Sequence, residues 1–284
     1  MERPVTSLDT ALATLRSRWG SAAVRLGNGG EAVTGRRAGS EEAAVSGALA
    51  LVPMAAPEER PDPLAPLPDD LVSTGFPALD AILGVAGLPR EASAAIRGDL
   101  SSGKTTLALR CAAEAQARGA IVAYLDLARA FDPVEAVARG VDLRWMLVVR
   151  PADVPEGFSL ASALLAGRAV DLLIVDLPSR LPARTDGSIR RLAAHARRVG
   201  ARLMVLEPAS LPGPFQGALA EATGLRLELE RRGWIRLGRD IVGQHTQVTV
   251  AKNRYGPPGR RADLEIHYLG DGERALAAHR FAAT

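Results

Sequence analysis

The sequence predicts an α/β fold: a mainly parallel sheet flanked by helices, with an antiparallel extension at its C-terminal end. Three observations carry that expectation. The octapeptide GDLSSGKT at 98–105 matches the phosphate-loop pattern G-x-x-x-x-G-K-[ST], follows the apolar run Ala94-Ala95-Ile96 and opens the helical pattern TLALRCAAEAQA. Short apolar runs then alternate with helical periodicity, as a parallel sheet requires. Beyond residue 224 the pattern switches to period two.

Composition bounds the rest. The chain has 284 residues, 47% hydrophobic but only 4% aromatic, enough for one large core in one or two domains. Its single cysteine, Cys111, excludes an internal disulfide and a cysteine zinc site. No signal segment and no run of eighteen apolar residues is evident, so a cytoplasmic protein without a membrane span is expected. The formal net charge is +3, but arginines cluster: Arg180, Arg184, Arg190, Arg191, Arg197, Arg198 and Arg202, then Arg226, Arg231, Arg232, Arg236 and Arg239. Clusters of this kind suit a polyanion, or form a solvated face.

At the N-terminus, Ser7 can cap a helix with Leu8, Leu12, Leu15 and Trp19 along one stripe. Residues 1–27 form a first unit. Residues 28–70 turn to Gly, Ala, Glu and Pro and read as a linker, and 71–284 form the nucleotide-binding core. Within it, 120–125, 146–149, 171–175 and 202–206 read as buried strands, and 104–117 and 188–199 as helices. In the last helix Ile189, Leu192, Ala193, Ala196 and Val199 point inward, leaving Arg190, Arg191, Arg197 and Arg198 outside as candidate phosphate contacts for DNA. LRLELER, WIRLG, QVTVAKN and DLEIHYL alternate in hydrophobicity, with Arg232-Gly233 marking a turn.

The phosphate loop is the strongest chemical signal. Backbone N–H groups of Gly98, Asp99, Leu100, Ser101, Ser102 and Gly103 would cradle phosphates at the start of a helix, Lys104 would reach the β and γ phosphates, and Thr105 would ligate Mg²⁺, with Thr106 beside it. A plain strand-to-helix connection is the alternative. Asp176 ends the run LLIVD, where an acid can hold Mg²⁺ through water; helix capping is the bland reading of the same residue.

Four segments in order, VSTGFPALDAILGVAGLPRE (72–91), GDLSSGKTTLAL, AYLDLARAFDPVEAVARGVD (123–142) and VAKNRYGPPGRRADLEIHY (250–268), resemble the bacterial RecA recombinase core, a P-loop NTPase. ALATLRSRWGSAAVRLG is similar to that family's first helix and strand, which implies docking on a neighbouring subunit. The resemblance covers most of 8–27 and 71–272. It implies ATP and Mg²⁺ as cofactors and Asp132 at the adenine end, and Lys252 and Arg254 as cations reaching the γ-phosphate held by the next subunit. Ordinary exposed charges at a strand end are the alternative for that pair.

Departures from the family shape the expected function. The catalytic glutamate's position holds Ala128, and a methyl group cannot accept a proton. Glu207 is a candidate substitute, but Glu207-Pro208 stands where the family has an Asn-Gln pair. Glu135 replaces a base-stacking aromatic. The two DNA-loop positions, LPSRLPARTDGS and PASLPGPFQGALAEATG, are short, and the chain stops at Thr284, where the family carries a further C-terminal domain. The closest functional type is a degenerate RecA paralogue similar to ImuA proteins, accessory factors of translesion mutagenesis in the response to DNA damage. Single-stranded DNA or a RecA filament, translesion polymerase subunits and a second copy of the chain are the implied partners. A compact DNA-dependent ATPase with recombinase activity and a nucleotide-independent scaffold are the alternatives; Ala128 argues against the first, Lys104 and Asp176 against the second.

Overall fold

The computed structural model describes residues 24–26, 71–182 and 185–268. The expected N-terminal helix and the linker 28–70 lie outside the described residues. Strand β1 (Val24–Leu26) is followed by β2 (Leu71–Val72), α1 (Pro77–Leu83), β3 (Leu88–Pro89), β4 (Ser93–Gly98) and α2 (Lys104–Ala117). Next come β5 (Val122–Asp126), α3 (Pro133–Ala138), a 3₁₀ turn at Leu143–Trp145, β6 (Met146–Val149), α4 (Val154–Ala166) and β7 (Leu172–Asp176). The chain continues through α5 (Thr185–Val199), β8 (Arg202–Pro208), α6 (Gly213–Ala222), β9 (Leu225–Leu237), β10 (Asp240–Asn253) and β11 (Arg261–His267).

Apart from the small β2–β3 pair, the strands form one 9-stranded sheet in the order β1-β6-β5-β7-β8-β4-β9-β10-β11. From β6 to β9 neighbouring strands are parallel. Helices cover both faces, so the central strands need apolar side chains on both sides. Ala123, Leu125, Leu173, Val175, Leu203 and Val205 pack under α4, α5 and α6. The alternate residues Val122, Tyr124, Leu172, Ile174, Met204 and Leu206 pack on the opposite face, under α2. That double burial is why these segments read as continuous apolar runs.

Helix α5 buries Ile189, Leu192, Ala193 and Ala196 and leaves Arg190, Arg191, Arg197 and Arg198 exposed, as the periodicity predicts. Helix α4 starts where Asp153 accepts a hydrogen bond from the Glu156 N–H at 2.8 Å, with Pro155 in the first turn.

Two expectations about the sheet are corrected. Arg232-Gly233 is not a turn: β9 runs straight through it, and the register shift opposite His245 and Thr246 makes the site a bulge. The hairpin turns instead at Gly238-Arg239, where Gly238 takes φ 63. The antiparallel extension also begins later than the period-two pattern suggests, because Leu225–Leu229 of β9 pairs in parallel with β4. Strand β1 forms one edge of the sheet, pairing antiparallel with β6 through Val24 and Val149. Among the described residues no helix is long and apolar enough to cross a membrane.

Candidate nucleotide site

Strand β4 delivers the phosphate loop and α2 receives it. Gly98 is needed for close approach, since a Cβ there would lie 2.4 Å from Ser102 Oγ and 2.7 Å from the Leu229 carbonyl oxygen. Gly103 caps α2 at φ 93, and a Cβ there would meet Ile266 Cδ1 at 2.3 Å. No side chain caps α2, and its first turn carries no acid, so its N–H groups and positive end remain available to an anion. Ser102 Oγ is buried with no hydrogen-bond partner among the described residues. Lys104 Nζ donates to the carbonyl oxygens of Gly98 and Asp99, both at 2.7 Å. Burial pulls its pKa down, against the opposing charges of Asp176 and Asp99.

A cavity of about 880 Å³ opens over this loop. It is lined by Gly98, Asp99, Leu100, Ser101, Ser102, Gly103, Lys104, Thr105 and Thr106, together with Ala128, Asp176 and Pro208. The volume and the ring of backbone donors suit a nucleoside triphosphate. The expected phosphate-loop residues and Asp176 thus line one cavity, and the parallel pairing of β5 with β7 sets Asp126 and Asp176 side by side at the carboxyl ends of their strands.

Asp176 is mostly buried, and burial lifts its carboxyl to about 6, against the Tyr124 hydrogen bond; Asp126 raises it further, and Lys104 lowers it. With Thr105 it forms an all-oxygen donor pair. No group of three or more His, Cys, Asp or Glu side chains gathers anywhere among the described residues. That sparse set fits Mg²⁺, which keeps waters and substrate phosphates as its other ligands. Bound there, Mg²⁺ would neutralise phosphate charge.

Ala128 is fixed at the cavity wall by its own N–H, which donates to the Asp176 carbonyl at 3.2 Å. Asp126 shapes this loop, accepting from the Ala130 N–H and from Arg150 Nε, both at 2.8 Å. These bonds hold Ala128 at the cavity wall, where its side chain is a methyl group.

Other expected residues fall elsewhere. Glu207 does not line the cavity: it is 0% exposed, its Oε1 accepts from Arg226 at 3.0 Å, and Oε2 has no partner among the described residues. Held in that ion pair, it stays buried behind the cavity wall to which Pro208 contributes. Asp132 is also outside the cavity lining and caps α3, accepting from the Val134 N–H at 2.8 Å. Glu135 is engaged with Arg139 at 2.7 Å. Lys252 donates to the carbonyl oxygens of Ala220 and, at 2.7 Å, Thr223, closing the C-terminal end of α6, whereas the Arg254 side chain is exposed. Among the α5 arginines, Arg190 pairs with Glu221 at 2.9 Å and Arg197 donates to the Ala222 carbonyl at 3.2 Å. Much of the second shortened loop is helix α6, and its Phe215 is packed into the core, 6% exposed.

The residues missed by sequence reasoning come from β10 and the end of β11. Gln244, Ile266 and Tyr268 line the cavity. Thr246 donates to the Ser102 carbonyl at 3.2 Å, Gln244 Nε2 donates to Thr246 at 2.8 Å, and the Tyr268 hydroxyl donates to Gln244 Oε1 at 2.6 Å. The antiparallel extension thus buttresses the phosphate loop. Period-two alternation marks these strands but carries no sign of which loop they meet.

A parallel sheet with a phosphate loop at its carboxyl edge and an acid at the same edge, on β7 with β8 between it and β4, defines a P-loop NTPase core. The family model described as the RecA N-terminal domain matches residues 67–206. Protein RecA of Psychrobacter arcticus is 30% identical over 244 residues, covering 76% of this chain and 69% of that protein. Protein RecA of Chlorobaculum tepidum is 35% identical over 234 residues, covering 72% and 67%, and that of Levilactobacillus brevis 34% over 231 residues, covering 70% and 60%. The chain belongs to the RecA family. Its match spans between 60% and 69% of the length of these curated relatives. Among solved structures, the flagellar accessory protein FlaH from Methanocaldococcus jannaschii shares the fold, with a TM-score of 0.51 at 14% identity, covering 68% of this chain and 95% of that one.

Proposed function

We propose that this protein is an ATP-binding accessory factor of DNA repair, of the translesion-mutagenesis type, that acts through interaction more than through turnover. One observation carries the reading: a complete phosphate loop and Asp176 share a cavity with Ala128 at the position where an acid would activate water. Lys104 and the α2 N-terminus bind the phosphates, and Thr105 and Asp176 hold Mg²⁺. Tyr268 lines the same cavity and is the aromatic candidate to meet the base, since Glu135 holds no ring. General-base positioning typically contributes about 10²- to 10⁴-fold, so hydrolysis is slow without it.

The expected partners are single-stranded DNA or a RecA filament, translesion polymerase subunits and a second copy of the chain, in the cytoplasm. Arg254 is the cation offered to a neighbour's nucleotide, while Lys252 serves its own helix end. The test is direct: the protein should bind ATP with Mg²⁺, bind it far more weakly in Lys104→Ala, and turn over far more slowly than a recombinase on single-stranded DNA. Turnover matching a recombinase would favour the compact-ATPase reading instead.

A further inference from the structure

Resting on the nucleotide reading above, we propose that Tyr124 is a positioning residue: its phenol ties up one carboxylate oxygen of Asp176 and thereby aims the other at the metal. The Tyr124 hydroxyl donates to Asp176 Oδ2 at 2.8 Å. Strand register explains how. Tyr124 sits opposite Ile174 on the neighbouring parallel strand, so Asp176 is its diagonal neighbour on the same sheet face, within reach of a long aromatic side chain. That is the face under α2, the helix that carries the phosphate loop.

The donor is rigid. Tyr124 is 0% exposed, and its ring packs against Phe131 with centroids 4.9 Å apart at 55°. Burial and the Asp176 charge push the phenol well above the ordinary tyrosine range, so it remains a donor throughout physiological pH. Asp176 Oδ1, by contrast, accepts no hydrogen bond among the described residues, and the residue lines the cavity beside Thr105. Two effects oppose each other here. A hydrogen bond reduces the basicity of the carboxylate, while fixing its rotation removes the entropy cost of organising the site. Orientation wins in metal sites generally, where loss of such an outer partner costs about 10- to 100-fold in metal affinity.

Tyr124→Phe keeps the ring and its packing and removes only the hydroxyl. Binding of a fluorescent ATP analogue is followed during Mg²⁺ titration, and separately in EDTA, for wild type, Tyr124→Phe, Asp176→Asn and the double variant. The expected result is a Mg²⁺ midpoint raised about tenfold or more in Tyr124→Phe, with unchanged affinity in EDTA, and no further shift from Tyr124→Phe in the Asp176→Asn background. Superimposable Mg²⁺ curves for wild type and Tyr124→Phe overturn the proposal. So does an equal loss of affinity with and without Mg²⁺ accompanied by a lower melting temperature, which marks a purely structural hydroxyl. Wild type that binds no analogue under either condition defeats the nucleotide reading itself and this inference with it.

Discussion

Glu207 Oε1 lies 3.0 Å from the Arg226 guanidinium, and the pair joins the end of β8 to the start of β9 inside the protein. Arg97 of β4 stands 3.9 Å from the same oxygen and donates to Gln216 of α6 at 2.8 Å. Burial pushes the Glu207 carboxyl up, and Arg226 and Arg97 oppose that push. Removing one member of a buried pair leaves an uncompensated charge and costs about 3–5 kcal/mol. Glu207→Ala should therefore lower stability by that order in denaturant melts while leaving ATP affinity unchanged. A variant that keeps its stability but loses residual ATP turnover would return Glu207 to the catalytic machinery.

Lys104 and Ala128 separate binding from chemistry. A hydrogen bond to a charged group is worth about 1.5–3 kcal/mol, so Lys104→Ala should weaken ATP binding roughly 10- to 100-fold by titration calorimetry. Ala128→Glu places an acid on the cavity wall and should raise turnover, with binding little changed. An unaltered rate in a variant that still binds ATP would show that Pro208, on the same wall, holds the attacking geometry away from the new base.

Asp176 is ionised near neutral pH at a cost to folding. Its folded value, about 6, lies above the ordinary aspartate value of 3.8. The folded state thus binds more protons than the unfolded state between those values, and the group's contribution to stability falls as pH rises through that window. At pH 7.5 and without Mg²⁺, Asp176→Asn should be more stable than wild type by about 2–3 kcal/mol, since one pKa unit corresponds to about 1.4 kcal/mol. The gap should close as the pH is lowered toward 4. Chemical denaturation at the two pH values checks both the sign and the window.

Arg254 and Lys252 should part company in assembly assays. Arg254→Ala is expected to reduce ATP-dependent self-association, or association with a RecA filament, without altering stability. Lys252→Ala should cost about 1 kcal/mol of stability through the lost α6 carbonyl contacts. Replacing Leu12 and Leu15 with Asp should abolish the same association, because unpaired carboxylates cannot be buried cheaply at an interface. Sedimentation profiles identical to wild type for both Arg254→Ala and the leucine double variant would remove the docking model.

The exposed α5 arginines predict electrostatic DNA binding. Affinity for labelled single-stranded DNA, read by fluorescence anisotropy, should fall steeply with salt as counterions are released, and should fall further in Arg191→Ala/Arg198→Ala. Phe215 cannot offer a stacking face while it is part of the core. Phe215→Ala should cost about 3–5 kcal/mol of stability with no specific loss of DNA affinity beyond that. Absence of binding at low salt would exclude direct DNA contact and leave these arginines to solvent or an acidic partner.

Local chemistry makes much of this protein legible in its sequence. GDLSSGKT requires a loop between a strand and a helix, double burial makes the parallel strands apolar throughout, and the α5 stripe separates core from surface by period alone. The methyl group of Ala128 on the cavity wall is likewise a one-residue statement, since the turn around it is specified by Asp126 and its neighbours. What tertiary structure decided are relationships between segments far apart in the chain. Glu207 became a core ion pair because β9 brings Arg226 beside it, and the arrival of β10 set Thr246 and Gln244 against the phosphate loop. Strand order decided which ends met, bringing Tyr124 to Asp176 across β5 and β7. Propensity and periodicity act over a few residues and set element type and inward face; the pairing of distant strands is fixed by packing of the whole sheet, and the partner of each buried polar group follows from it.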